Sequence, residues 1–144
     1  MSATKNNTTE IVKTPKFVDI ESPYSAPTVA EIKRNIRYAR AAVRDCLLRG
    51  ETPYASHLFF TQTGILDDNI AKDRTLGINA GKYIIQKLGA MTVVYADLGI
   101  SKGMEFGIAL AEKDGRTIEF RSLGKSWESV FLVHENSHSQ SALW

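Results

Sequence analysis

The sequence predicts an α/β fold: a three-layer Rossmann-like sandwich around a mostly parallel sheet of four to five strands. Two patterns and one bulk property point to it. An apolar run, Met91-Thr92-Val93-Val94-Tyr95, is followed by a turn-rich loop over residues 96–103, a helix-like segment from Met104 to Lys113, and a strand-like run from Thr117 to Arg121. That is the strand–loop–helix–strand unit of parallel sheets, in which ligands collect at the loop after the strand. Upstream, the same alternation of strand-like and helix-like segments gives the order β-α-β-α-β-α-β. The chain has 144 residues with 43% apolar and 24% charged side chains, enough for one soluble domain with its own core.

Residues 1–15 are polar, rich in Thr, Asn and Lys, and read as a mobile tail. The domain proper spans 16–123. Its first strand is Phe17 to Ser22, where Asp19 and Glu21 alternate with apolar residues, so one face of the strand is expected to be incompletely buried. Pro23 and Pro27 fix the loop that carries Tyr24. Thr28, with Glu31 three residues on, forms a capping box for a helix that runs to about Leu48 and stops at Gly50. The expected inward stripe is Ile32, Ile36, Ala39, Val43, Cys46 and Leu47, which makes Cys46 a buried, inert thiol.

A short strand over Thr52 to Ala55 leads into Ser56-His57-Leu58-Phe59-Phe60 as the next loop. The second long helix is expected from Asn69 to about Leu88, with Ile70, Arg74, Gly77, Gly81, Ile84 and Leu88 inward. Gly77 and Gly81, one turn apart, lower helix propensity by roughly 1 kcal/mol each and invite a close approach by another backbone, a ligand or a second subunit. Arg74 on that face calls for an anionic partner. Residues 124–144 form a C-terminal arm, whose apolar patch from Trp127 to Val133 suits either an extra strand or a docking segment.

Net charge is +2 with acids and bases intermixed, so charge gives no support to nucleic-acid binding, and the arginine-rich face of the first helix reads as solvated. One cysteine excludes an internal disulfide and a cysteine-based metal centre. No apolar run approaches membrane-spanning length and the N-terminus lacks the apolar core of a signal peptide, so a cytoplasmic protein without a membrane partner is expected. Walker, G-x-G-x-x-G, Ser-His-Asp and metal-ligand patterns are missing, and no cofactor is expected.

In a parallel sheet the strand C-termini share one edge. That edge gathers Tyr24, His57 and the segment from Asp97 to Glu105, with Asp67, Asp68 and Arg74 at the start of the second long helix nearby. Ser101-Lys102-Gly103-Met104 leads into a helix whose free N–H groups favour an anion, with Gly103 allowing a tight turn. Asp67 and Asp68 suit acid–base work or helix capping, and Tyr24 suits stacking on a base or sugar. The residues alone point to an α/β domain that binds a small anionic ligand.

Ser22-Pro23-Tyr24, Asn35 with Ala39, Ser56 to Phe60, Asp67-Asp68 with Arg74, and Ser101-x-Gly103-Met104 with Ala111 and Gly115 together resemble the nucleoside 2-deoxyribosyltransferase-like superfamily. The similarity is greatest to its small bacteriophage and prophage members. The usual proline before the histidine is replaced by Ala55-Ser56. The resemblance implies cleavage of an N-glycosidic bond by a glutamate on the helix after the glycine loop. Aligned without gaps on S-x-G-M-x-x-E-x-x-x-A-x-x-x-G, the glutamate position falls on Gly107 and the nucleophile is missing. A second register, Glu105-x-Gly107-x-Ala109, makes Glu105 the nucleophile, assisted by Asp67 or Asp68. The two positions differ by about 200° around a helix, and the gapless register is preferred because it needs no compensating insertion.

The resemblance therefore implies a nucleoside or nucleotide binder without the usual catalytic glutamate. Pro23, Tyr24, His57, Arg74, Ser101, Gly103, Met104 and Gly107 would be its ligand-binding residues. A phage protein that sequesters a nucleotide-derived ligand in the host cytoplasm would fit. The alternatives are an N-glycosidic hydrolase or deoxyribosyltransferase using Glu105, and a structural or assembly protein. Superfamily members assemble as dimers or rings, which implies a homo-oligomer.

Overall fold

A computed structural model describes residues 15–129 and 131. Strands β1 (Lys16–Glu21), β2 (Glu51–Tyr54), β3 (Met91–Tyr95) and β4 (Ile118–Arg121) alternate with helices α1 (Val29–Leu48), α2 (Ser56–Phe59), α3 (Ala71–Leu88) and α4 (Lys102–Lys113). The four strands form one all-parallel sheet in the order β2-β1-β3-β4, within the expected range of four to five. The chain steps outward from β1 to β2, then returns across β1 to β3 and β4. Right-handed crossovers then put α1 on one face and the later helices on the other. The junction of β1 and β3 is the switch point where such sheets bind ligands.

Alternation along the strands sorts the residues by face. Val18 and Ile20 of β1 and Met91, Val93 and Tyr95 of β3 join Tyr38, Ala42 and Cys46 of α1 in the buried core. Asp19, Glu21 and Thr92 project to the opposite side. The Thr28–Glu31 capping box forms as the sequence predicts: the Thr28 hydroxyl accepts from the Glu31 amide at 3.2 Å, and the Glu31 carboxylate accepts from the Thr28 amide at 3.1 Å. Thr28→Ala is expected to lower stability by about 1 kcal/mol, read as a shift in the urea midpoint at unchanged slope.

Two helix faces differ from expectation. On α1 the buried face is Asn35, Tyr38, Ala39, Ala42 and Cys46, with Ala41 at its margin, while Leu47 is 57% exposed. Small Ala39 and Ala42 let the helix sit close to the sheet, and Tyr38 reaches across to the loop after β3. On α3 only Gly81 and Ile85 are buried; Ile70, Ile84 and Leu88 are exposed. The glycines accommodate this chain's own α2 region: a Cβ on Gly81 would lie 3.1 Å from Ser56 Cβ, and one on Gly77 would lie 3.2 Å from Leu66 Cδ1. Residues 56–59, read as loop, form the short α2 instead.

Trp127 packs edge-on against Tyr38, with ring centroids 5.1 Å apart. The N-terminal tail up to residue 14, and the C-terminal arm apart from 124–129 and 131, lie outside the described residues. Among the described residues no helix is long and apolar enough to cross a membrane.

Candidate functional site

A cavity of about 650 Å³ opens at the C-terminal edge of the sheet, between the end of β1, α2, α3 and the start of α4. That volume suits a nucleotide-sized molecule. Eight sequence-predicted residues line it: Tyr24, His57, Asp68, Arg74, Ser101, Gly103, Met104 and Gly107.

The loop after β1 is held in place by the interior. Asn35, buried in α1, donates through Nδ2 to the Tyr24 carbonyl at 2.9 Å. His57 Nε2 lies 2.9 Å from the Ser22 hydroxyl, and the Tyr24 ring meets the imidazole edge-on. The packing around His57 lowers its pKa to about 4, so the imidazole is neutral at physiological pH. It therefore offers hydrogen bonding rather than charge. On α3, Arg74 Nη1 pairs with Asp68 Oδ2 at 2.9 Å, which supplies the anionic partner its position called for. At the start of α4, Ser101 is the N-cap and its hydroxyl accepts from the Met104 amide at 3.2 Å.

Four expectations are corrected. Glu105 is exposed and does not line the cavity, whereas Gly107 does. Position 107 of α4 thus faces the cavity and position 105 does not. Pro23 is buried behind the loop rather than on the cavity wall, where it shapes the turn that presents Tyr24. Asp67 is exposed and faces a neighbouring depression; its Oδ1 accepts from the Asn69 amide, and its own amide donates to Asp73, so it serves the loop before α3. Gly103 lies within the first turn of α4, and the left-handed turn before this helix is at Gly99, with φ 86°.

Asp97, placed by topology near the same edge, is also occupied. Although its burial works the other way, hydrogen bonds from Ser122, Tyr38 and the Leu123 and Gly124 amides bring its pKa down to about 2. Tyr38 Oη is 2.5 Å from Asp97 Oδ2 and accepts from the Asp97 amide at 2.9 Å. This carboxylate staples the loop after β3 to the segment after β4.

The cavity also holds groups not singled out from the sequence. Asp19 and Glu21 of β1 line it, together with Arg116, Lys82 and Phe106. Arg116 is committed to structure: Nη1 donates to the Ala90 carbonyl at 3.0 Å and to Thr92 Oγ1 at 2.8 Å, and Nε to Asp114 at 3.1 Å. Thr92 in turn donates to Asp19 at 3.3 Å. Asp19, 3% exposed, has its pKa raised by burial, against the opposing pull of Arg116 and the Thr92 hydrogen bond. Glu21 is pushed up to about 9 by burial first and by the neighbouring Asp19 second, with Arg116 opposing. Its carboxyl occupies the space that a side chain at position 107 would need: a Cβ there would collide with Oε1 and Cδ and lie 2.8 Å from Oε2. The one advance signal was the alternation of Asp19 and Glu21 with apolar residues, read as a face left partly open.

Among the described residues no group of three or more His, Cys, Asp or Glu side chains is arranged to hold a metal ion. No curated protein and no solved structure matches the chain. The family model described as "Domain of unknown function (DUF7768)" matches residues 16–121. That match runs from the first residue of β1 to the last of β4 and takes in every element that walls the cavity. The chain belongs to the DUF7768 family.

Proposed function

We propose that this chain binds a nucleoside or nucleotide, without the glycosyl-transfer chemistry of the nucleoside 2-deoxyribosyltransferase-like proteins it resembles. The observation that carries the reading is the convergence of Tyr24, His57, Arg74 and the start of α4 on one cavity at the sheet's switch point. Tyr24 offers an aromatic face to a base, and neutral His57 a hydrogen bond to base or ribose. Arg74 and the amides opening α4 offer charge and N–H groups to a phosphate. Glu105 lies outside the cavity, which supports binding over a reaction through that residue. Sequestration of a nucleotide-derived ligand is a use that needs no turnover.

Leu76, Ile78, Tyr83, Ile84 and Leu88 leave α3 with an exposed apolar surface, which supports assembly of several copies as part of the same reading. Titration calorimetry with adenosine and AMP tests the binding. AMP is expected to bind more tightly than adenosine, and Arg74→Ala to weaken AMP at least tenfold while leaving adenosine within a factor of three. His57→Ala is expected to weaken both. Full-strength binding in both variants would contradict the reading.

A further inference from the structure

We propose that Glu21 is the residue that reads the uncharged part of the ligand, pairing its carboxyl with a ligand edge on which a hydrogen-bond donor stands beside an acceptor. This rests on the nucleoside or nucleotide reading above and adds a contact that the sequence did not assign. The argument starts from Gly107. An α4 residue with any side chain at that position would collide with the Glu21 carboxyl, so the bare backbone there is what lets the carboxyl reach the cavity. Position 107 has no side chain, and the carboxyl from β1 fills the space one would take.

Among the described residues that carboxyl makes no hydrogen bond, and its neighbours are engaged. Arg116 is held by Asp114, Thr92 and the Ala90 carbonyl, and Ser22 by His57. A half-buried carboxyl at the cavity wall without protein partners leaves its hydrogen-bonding capacity for a bound molecule. Titratable groups face the cavity from every element around it: Asp19 on β1, neutral His57 on α2, Asp68 before α3, Asp73, Arg74 and Lys82 on α3, Lys102 on α4 and Arg116 before β4. Enclosure and Asp19 together keep Glu21 protonated at neutral pH. A protonated carboxyl presents one O–H donor and one carbonyl acceptor side by side. Two parts of a nucleoside match that pair: the ribose diol, and a base edge such as the amine and ring nitrogen of adenine.

The test is calorimetry of adenosine, 2′,3′-dideoxyadenosine and adenine with the whole chain and with Glu21→Gln, Glu21→Ala, Gly107→Ala and the Glu21→Ala/Gly107→Ala double variant, each checked for folding by circular dichroism. Gln keeps a neutral donor and acceptor, so Glu21→Gln is expected to bind adenosine within a factor of three of the parent. Glu21→Ala is expected to lose at least tenfold. Gly107→Ala, which displaces the carboxyl, should lose a similar factor, and the double variant no more than Glu21→Ala alone. A Glu21→Ala loss that persists with dideoxyadenosine and adenine assigns the base edge; one that disappears with them assigns the diol.

Unchanged binding in Glu21→Ala overturns this assignment alone, as does a Glu21→Gln loss as large as that of Ala, which would mean that a charged carboxylate is required. Free adenine released from adenosine by the parent and not by Glu21→Gln also overturns it, since Glu21 would then be a catalyst. If the parent binds none of the three, and AMP binding is also absent, the nucleotide reading fails and this assignment with it.

Discussion

Arg121→Met is expected to lower the stability of the fold by about 3–5 kcal/mol, the loss typical of a buried ion pair deprived of one partner. The Arg121 side chain is 3% exposed. Its guanidinium forms a fork with Glu51, Nη2 to Oε1 at 2.6 Å and Nη1 to Oε2 at 2.8 Å, and reaches Glu119 at 2.9 Å. Nη1 is also 3.3 Å from Tyr95 Oη, which donates to Asp45 at 2.7 Å. One side chain thus connects β4, β2, β3 and the end of α1. Methionine fills most of the volume but leaves the Glu51 carboxylate, 13% exposed, without its partner. Urea denaturation of both proteins measures the loss; a change below 1 kcal/mol would show that water replaces the guanidinium freely.

Glu21→Gln is expected to act in the opposite direction and raise stability at pH 7 by roughly 3 kcal/mol, from a shift worth about 1.4 kcal/mol per pH unit. The sign follows from the carboxyl's raised pKa, moved from the ordinary 4.5 to about 9. The folded chain binds this proton more tightly than the unfolded chain does. Its stabilising contribution is complete below about pH 4.5 and is lost as pH rises toward 9. Glutamine has no proton to lose. The stability difference between variant and parent should therefore be near zero at pH 4.5, grow with pH and level off above 9. Urea midpoints across that range give the curve. A difference that stays flat with pH would show that Glu21 is an ordinary solvated carboxylate. A residue that weakens the fold where it stands, at the floor of a cavity, is what a ligand contact looks like energetically.

Much of the fold was legible in the sequence because local chemistry and tertiary packing agreed. Thr28 and Glu31 set the start of α1, and the apolar run from Met91 to Tyr95 is the fully buried β3. Topology then gathered Tyr24, His57, Arg74 and residues 101–104 at one edge, and the structure brings them to one cavity. The faces of α1 and α3 were less legible. Apolar periodicity favours large residues, whereas the close contacts in this fold are made through Ala39, Ala42, Gly77 and Gly81, and Leu47, Ile84 and Leu88 are left outside.

The floor of the site was hidden for a different reason. Asp19 and Glu21 carried the right pattern, but alternating acids on a strand look the same whether they face water or a cavity. Gly107 showed only that a side chain was missing. That Glu21 fills its place is a relation between distant positions, made by packing α4 against β1. Arg116 and Thr92 carried no local signal, and the role of Asp97 was hidden because its four donors come from two distant segments, Tyr38 on α1 and residues 122–124.

The central claim is that the cavity takes up an intact nucleoside or nucleotide. Native mass spectrometry of the purified chain, alone and mixed with a panel of nucleosides, nucleotides and NAD, tests it most directly. A stoichiometric complex with an unbroken member of the panel, lost in Glu21→Ala, is the predicted result. Release of free base, or the failure of every panel member to bind, would contradict it.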